Sequence, residues 1–481
     1  MKKTLLLIII VLTAASINAQ NTLKLDQTVK EVQKSAALQH ASLSVCVYNI
    51  TRNTNVYSHE AQKSLVPASV MKLLTTAVGF EKMGSSFRFK TTLKYTGKID
   101  NNGTLHGDII IVGGGDPILG SYRYKQTTPD SLFATWQRIL KNHGIKNIDG
   151  RICYDASIFD EQILNDSWQW GDVGNYYGCG TCGLNFHENM YFAYFNAGSK
   201  LGDPAAIDHI QPNALRIHSQ NNVTTGAANS GDNVIIYGDP SSTIRVYEGT
   251  VPLGKRNFSV RGAMPNPAEN CAALFAAYLK LHGTNVTGTT TENRRHSHGK
   301  EMIDYLSNTY YVIAQYTNLT SNNLYAESIL KYIGYKVYGK GSYENGSKAI
   351  LNYCAENGLS TDGINIIDGS GLSRQNRITC DFLCRFLKHI AKQSIYSDYC
   401  KSLAIVGESG TAKNLLPKLP SNIAIKIKSG TMDGVKSYAG YITNTKGDLL
   451  CFSIIANNFS CPSSQVKLQL EKIMMQMATM Q

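Results

Sequence analysis

Beyond its first nineteen residues the sequence has no apolar run approaching the eighteen or so residues that a membrane-spanning helix needs. It also has no internal repeat and no low-complexity tract, which removes solenoids and fibrous architectures. No cysteine stands near residue 19 to accept a lipid, so no stable membrane anchor is expected. Eleven cysteines are present, an odd number scattered through strand-like and helix-like segments, and this is not the pattern of a small disulfide scaffold. Cys179 and Cys182 form one C-x-x-C pair, but no second pair stands at zinc-ligand spacing and no strand feeds it directly into a helix. A structural pair, buried or bridged, is the favoured reading over a redox site, and neither a metal nor a cofactor is expected.

What the sequence does have begins with an export signal. Lys2 and Lys3 precede an apolar run from Leu5 to Ala15, and the small residues Ser16 and Ala19 place cleavage after Ala19. Residues 1–19 are therefore expected to be a signal peptide, and the mature chain to be soluble and periplasmic or cell-wall associated. With 47 Lys and Arg against 35 Asp and Glu, the formal charge is +12, which suits an anionic surrounding such as a cell wall. Export and the scatter of the basic residues argue against nucleic acid. The densest basic patch, Arg294, Arg295, His296 and His298, reads as a solvated loop.

At 481 residues the chain exceeds a single ordinary core, and two to four domains are expected. Residues Leu25–Ala37 carry a helical pattern, and ASLSVCVYNI and NVYSH flank a turn at Arg52–Asn53–Thr54, the pattern of a hairpin. An apolar helix follows, entered at Pro67 and ending near Gly84, with Ser69 in its first turn. From Phe87 to Arg261 the texture changes to short β-patterned runs separated by Gly, Asn and Asp, which reads as inserted β-rich material. Helical patterns resume at Pro267–His282, Met302–Ser321, Asn323–Tyr338, Gly346–Asn357 and Cys380–Lys392. Three strand-like runs, IAIKIK, KSYAGYITN and DLLCFSIIAN, then precede the amphipathic Ser464–Met480. The expected organisation is a catalytic α/β domain from 20–86 and 262–481, with 87–261 as one or more inserted β-rich domains.

Three short motifs occur in one order: Ser69-Val70-Met71-Lys72, Ser321-Asn322-Asn323 and Lys428-Ser429-Gly430-Thr431. Each is weak alone, but each falls in the setting its chemistry requires. Ser69 and Lys72 share a helix face at i,i+3, so an amine can reach the hydroxyl that it must deprotonate. A lysine acts as a base only where burial or a neighbouring positive charge disfavours its ammonium form, and Lys428 is placed to supply such a charge. Met71, Leu73 and Leu74 make a solvated Lys72 difficult to maintain. Lys428 ends an alternating strand, where the small Ser429 and Gly430 leave room for a substrate backbone to add along the edge. Lys426 shares the plainer reading of a lysine that guards a strand edge. Ser321 and Asn323 sit where one helical pattern passes into the next, a place that either aims polar side chains into a cleft or simply caps a helix.

Taken together, these motifs make the chain resemble the class C low-molecular-mass penicillin-binding proteins, the D-alanyl-D-alanine carboxypeptidase/endopeptidase family. The resemblance extends to GGGDP (Gly113–Pro117), GNYYG (Gly174–Gly178), LNFHEN (Leu184–Asn189), NNLYAE (Asn322–Glu327) and DGSGLSR (Asp368–Arg374), and to the long insertion between the first two motifs. It implies a penicillin-binding/serine β-lactamase-like transpeptidase fold, α/β in class, with an antiparallel sheet flanked by helices. It implies that Ser69 attacks the carbonyl of the penultimate D-alanine while Lys72 takes its proton, that Ser321 relays a proton to the leaving amine, and that Asn323 holds the substrate amide. Lys428, Ser429 and Thr431 would engage the terminal carboxylate beside Gly430, and the N–H groups of Ser69 and Thr431 would form an oxyanion hole. The implied partners are peptidoglycan stem peptides and cross-links as substrates and β-lactams as covalent inhibitors, with the oligomeric state left open. The chain departs from the family pattern in two features: KSGT stands where KTG is more usual, and Cys179 and Cys182 stand where small or aliphatic residues are commoner. A β-lactamase would need a deacylating glutamate, which is not identifiable in the sequence, and a penicillin-binding sensor that stays acylated is the other alternative.

Overall fold

A computed structural model describes residues 22–213, 215–292 and 299–480. The expected signal peptide, 1–19, and the basic patch at Arg294, Arg295, His296 and His298 lie outside the described residues. The chain forms two compact units. The first comprises Met1–Ser85, Tyr311–Asn322 and Ser347–Gln481, and the second Ser86–Tyr310 and Asn323–Gly346.

The first unit is built on a six-stranded antiparallel sheet. Its spatial order is Ala404–Ile405, Ala424–Met432, Val435–Thr443, Leu449–Asn457, Ser42–Asn49 and Thr54–His59. The strand of Lys428 thus lies in the same sheet as the hairpin that precedes Ser69. Alternation dictates the pleat: Ile425 and Ile427 join the core on one face, while Lys428 and Gly430 face the other way. Asp433 and Gly434 close the hairpin in two residues, with Gly434 at φ 66°, a conformation that favours glycine. The helix at 22–34 and the helix Ser463–Ala478 cover the first face. Leu25, Val29 and Val32 come from one, and Val466, Leu470, Ile473 and Met477 from the other, each set at helical spacing. Cys380–Ile390 packs on the opposite face, its first turn capped by Thr379, whose hydroxyl accepts from the Phe382 N–H at 3.1 Å.

The second unit holds a five-stranded mixed sheet ordered Thr291–Glu292, Ile152–Asp155, Ile109–Val112, Arg88–Tyr95, Lys300–Thr309. A core of Trp136, Leu140, Phe275 and Leu279 from two helices lies against Leu93, Ile109 and Ile111. A separate β core gathers Tyr191, Phe195, Ile236, Tyr247 and Val260.

Three expectations differ from this arrangement. Residues 302–309 were expected in a helix running to Ser321, whereas Lys300–Thr309 is a strand paired antiparallel with Arg88–Tyr95, and the helix is Tyr310–Thr320. The strand wins because Asp304 accepts from Thr92 Oγ1 at 2.7 Å and from Lys90 Nζ at 3.2 Å, cross-strand bonds that a local helical pattern does not reveal. The segment expected to be β-rich also contains the helix Pro129–Asn142, which Thr128 caps and Pro129 opens. The second unit also extends past the expected limit at 261, because Cys271, Phe275 and Leu279 of the helix Pro267–Leu281 complete the Trp136 core.

Candidate active site

Ser69 lies in a 3-10 turn, Ala68–Met71, which leads directly into the helix Lys72–Met83. Residues three apart in such a turn stand one above the other, so the lysine ammonium is brought over the serine hydroxyl. Lys72 Nζ is 3.0 Å from Ser69 Oγ and donates at 2.6 Å to the Ser370 carbonyl. Lys72 is fully buried among Met71, Leu73 and Leu74, while Ser69 is half-buried. The nucleophile candidate is therefore reachable and its partner amine is dry.

The turn is held from both sides. Asn457 clamps the preceding backbone, accepting from the Val66 N–H at 2.8 Å and donating to its carbonyl at 3.0 Å. Ser437 Oγ donates at 2.6 Å to the Pro67 carbonyl. Ala68 is held at φ 49°, a strained value for a residue with a Cβ, immediately before Ser69. Gly430 fits against this turn because it lacks a side chain: a Cβ there would meet Ser437 Oγ and would come within 2.8 Å of the Pro67 carbonyl oxygen and 2.9 Å of the Ser69 nitrogen.

Lys428 Nζ reaches Ser321 Oγ at 2.9 Å and the Ser429 carbonyl at 2.7 Å. Ser321 sits at φ 60° between two helices, a left-handed break that separates Tyr310–Thr320 from Asn323–Tyr338. Burial holds the Lys428 ammonium well below the usual lysine range, and repulsion from Lys72 and then Lys436 pushes the same way. Ser429 Oγ donates to Thr411 Oγ1 at 2.7 Å, and Lys436 Nζ donates to Thr431 Oγ1 at 2.7 Å.

Ser69, Lys72, Ser321, Lys428, Ser429, Gly430 and Thr431 thus all belong to the first unit. Asn323 belongs to the second, where it opens the helix Asn323–Tyr338 and its amide donates to the Tyr177 carbonyl at 2.8 Å.

Sequence reasoning missed four contributors to this architecture: Ser370, Asp368, Ser437 and Asn457. Asp368 organises the loop that presents the Ser370 carbonyl, accepting from the N–H groups of Gly371 at 2.7 Å and Ser373 at 2.6 Å and from Asn376 Nδ2 at 2.8 Å. The signal was present in the D-G-S-G run, whose aspartate and glycines are those of a tight side-chain-capped turn. Cys179 and Cys182 are buried free thiols. Burial raises both, Cys182 to about 12, so neither offers a ready thiolate.

The fold is the penicillin-binding-protein type, mixed α/β with several small additional sheets. The structure of penicillin binding protein 4 (dacB) from Haemophilus influenzae superposes with a TM-score of 0.79 at 22% identity, covering 93% of this chain and 98% of that one. The same protein complexed with a novel β-lactam gives 0.75 at 22% identity, covering 95% of this chain and 97% of that one. The chain belongs to the D-Ala-D-Ala carboxypeptidase 3 (S13) family, whose model matches residues 25–481. It is 26% identical over 453 residues to the D-alanyl-D-alanine carboxypeptidase of Actinomadura sp. (strain R39), covering 92% of this chain and 82% of that protein. It is 24% identical over 421 residues to the D-alanyl-D-alanine carboxypeptidase DacB of Haemophilus influenzae, covering 86% and 84%.

Proposed function

We propose that this protein is an exported serine D-alanyl-D-alanine carboxypeptidase/endopeptidase that cleaves peptidoglycan stem peptides and cross-links through an acyl-enzyme on Ser69. The observation that carries the reading is the contact between the buried Lys72 amine and the reachable Ser69 hydroxyl, 3.0 Å apart. General-base removal of the Ser69 proton by Lys72 starts acylation, and Ser321 then passes a proton to the departing amine. Lys428, with the hydroxyls of Ser429 and Thr431, receives the terminal carboxylate, while Asn323 is assigned the substrate amide. Family membership and the likeness to a protein solved with a β-lactam support covalent capture of β-lactams at the same serine. The signal-like residues 1–19 and the excess of basic residues support a periplasmic or wall-associated location.

The test is mass spectrometry of products from purified peptidoglycan fragments, comparing the parent with Ser69→Ala. Loss of one D-alanine or opening of a cross-link, both abolished by the substitution, is the expected outcome. Unchanged fragments, or cleavage that persists in a folded Ser69→Ala protein, would overturn the assignment.

A further inference from the structure

Beside the KSGT strand, Lys436 is a cation to which the chemistry so far described gives no part. Lys436 lies on the strand Val435–Thr443 directly across from Thr431, and its ammonium donates to Thr431 Oγ1 at 2.7 Å. A threonine hydroxyl carries one proton and can accept as well as donate. With its acceptor side taken by an ammonium, the Thr431 proton is left to be given outward, and the cation strengthens that donation. Ser429 is arranged differently, since its own proton goes to Thr411 Oγ1. Thr431 is exposed and Lys436 half-buried, so the pair stands at the solvent-facing end of the strand while Lys428 is dry behind it.

The charges around Lys436 are Lys428, Lys467 and Glu471, and Lys467 is itself paired with Glu471 at 3.0 Å. Glu471 also accepts from the Leu416 N–H at 3.2 Å. Glu471 is thus engaged elsewhere, and the hydrogen bond of Lys436 goes to Thr431. We propose that Lys436 is a positioning residue for the substrate carboxylate: it orients the Thr431 hydroxyl as a donor and adds a second positive charge to the end of the site opened by Lys428. The inference rests on the functional reading above, which assigns the carboxylate to Lys428, Ser429 and Thr431, and it extends recognition of that carboxylate to a residue outside the three motifs.

The test uses two acylating agents that differ only in the charge at issue, benzylpenicillin and its methyl ester, with acylation followed by intact-mass measurement. Lys436→Met should slow acylation by benzylpenicillin roughly tenfold, the loss of one charge-assisted contact, and leave the methyl ester within about twofold of the parent. Lys436→Arg keeps the charge and the donor and should recover most of the rate. Lys436→Met should add little to Thr431→Val, because the two act through one hydroxyl. Thermal unfolding identifies any variant that does not fold, and Lys436→Gln, which keeps a donor without the charge, then carries the same comparison. Equal slowing with both agents, or no slowing with benzylpenicillin, would overturn the assignment by showing a merely structural cross-strand pair or an idle one. A parent protein that benzylpenicillin does not acylate at all would overturn the functional reading itself, and this inference with it.

Discussion

Gly430→Ala tests how Ser69, the proposed nucleophile, is held. The added methyl would come within 2.8 Å of the Pro67 carbonyl oxygen and 2.9 Å of the Ser69 nitrogen. Carbon contacts are ordinarily relaxed only beyond about 3.5 Å, so strand and turn must part by roughly 0.6–0.7 Å. Neither backbone atom can swing aside as a side chain would, and the Ser437 hydroxyl, the third neighbour, is already committed to the Pro67 carbonyl. Overpacking of this kind costs about 1–3 kcal/mol, which lowers the midpoint of thermal unfolding by roughly 3–10 °C in a unit of this size. The effect on chemistry should exceed the effect on stability. The displaced atoms are the backbone of Ser69 and the strand that presents the proposed carboxylate ligands, and a misplacement approaching 1 Å can cost on the order of 100-fold in rate. Stopped-flow acylation by benzylpenicillin, beside calorimetry of the same protein, separates the two. A Gly430→Ala protein acylated at the parental rate would refute the view that the strand and the turn are in rigid register.

Three further outcomes are expected. Lys72→Ala should slow acylation of Ser69 by roughly 100- to 10,000-fold while the protein remains folded, measured by intact mass with peptide mapping; an unchanged rate, or an adduct on another residue, would remove Lys72 as the base. Replacing Cys179 and Cys182 by Ala and Val should leave peptide hydrolysis within a few-fold of the parent, since neither thiol belongs to the three motifs; a loss as deep as that of Ser69→Ala in a folded variant would contradict this. Asp116 is fully buried, its Oδ2 has no hydrogen-bond partner among the described residues, and burial raises its carboxyl to about 7. Its folded value therefore exceeds the unfolded value, and the associated stability is complete below about pH 4 and lost as pH rises through about 7, by up to about 4 kcal/mol. Asp116→Asn removes that dependence, so its unfolding midpoint relative to the parent should climb between about pH 5 and pH 8.5; a constant difference would show that Asp116 stays ionised throughout.

The parts of the fold that were legible in the sequence are those written in local periodicity. The hairpin before Ser69, the three C-terminal strands and the helix Asn323–Tyr338 each carry an alternation or a stripe that tertiary context leaves in place. Lys300–Thr309 was not legible, because its strand state depends on pairing with Arg88–Tyr95, more than two hundred positions earlier. Helix Pro129–Asn142 was available to sequence reading through Thr128, Pro129 and the spacing of Leu132, Phe133, Trp136 and Leu140, but it was submerged in a region of β texture. At the site, Ser69 and Lys72 could be read because they stand three positions apart in one turn. The supporting groups are distant in the chain: Asn457 reaches Val66, Ser437 reaches Pro67, and the Ser370 carbonyl reaches Lys72. Asn457 and Ser437 are common polar residues with no local signature of their task, and only the closed sheet brings them to the turn; Ser370 shows in the sequence only the D-G-S-G form of its own loop.

The same geometry bears on how a lysine can serve as base at neutral pH. Two of the partners of Lys72 are oxygen atoms, the Ser69 hydroxyl and the Ser370 carbonyl. A carbonyl can only accept, so it fixes one amine hydrogen, whereas a hydroxyl can reverse its role. A neutral amine, with two hydrogens and one lone pair, can therefore keep the bond to Ser370 and accept the serine proton along the existing 3.0 Å contact with little rearrangement. On the proposed reading, a substrate carboxylate would tilt the charge balance toward that state. In the free site Lys72 and Lys436 repel the Lys428 ammonium, and burial disfavours its charge still more. On the proposed reading a bound carboxylate would offset this at Lys428 and Lys436, and the cations stabilised there would act against a third positive charge on Lys72. On the proposed reading the terminal carboxylate is thus more than a handle: its binding places the positive charge where it holds the substrate and helps remove it from the residue that must take a proton, so a substrate lacking the carboxylate loses base catalysis as well as affinity.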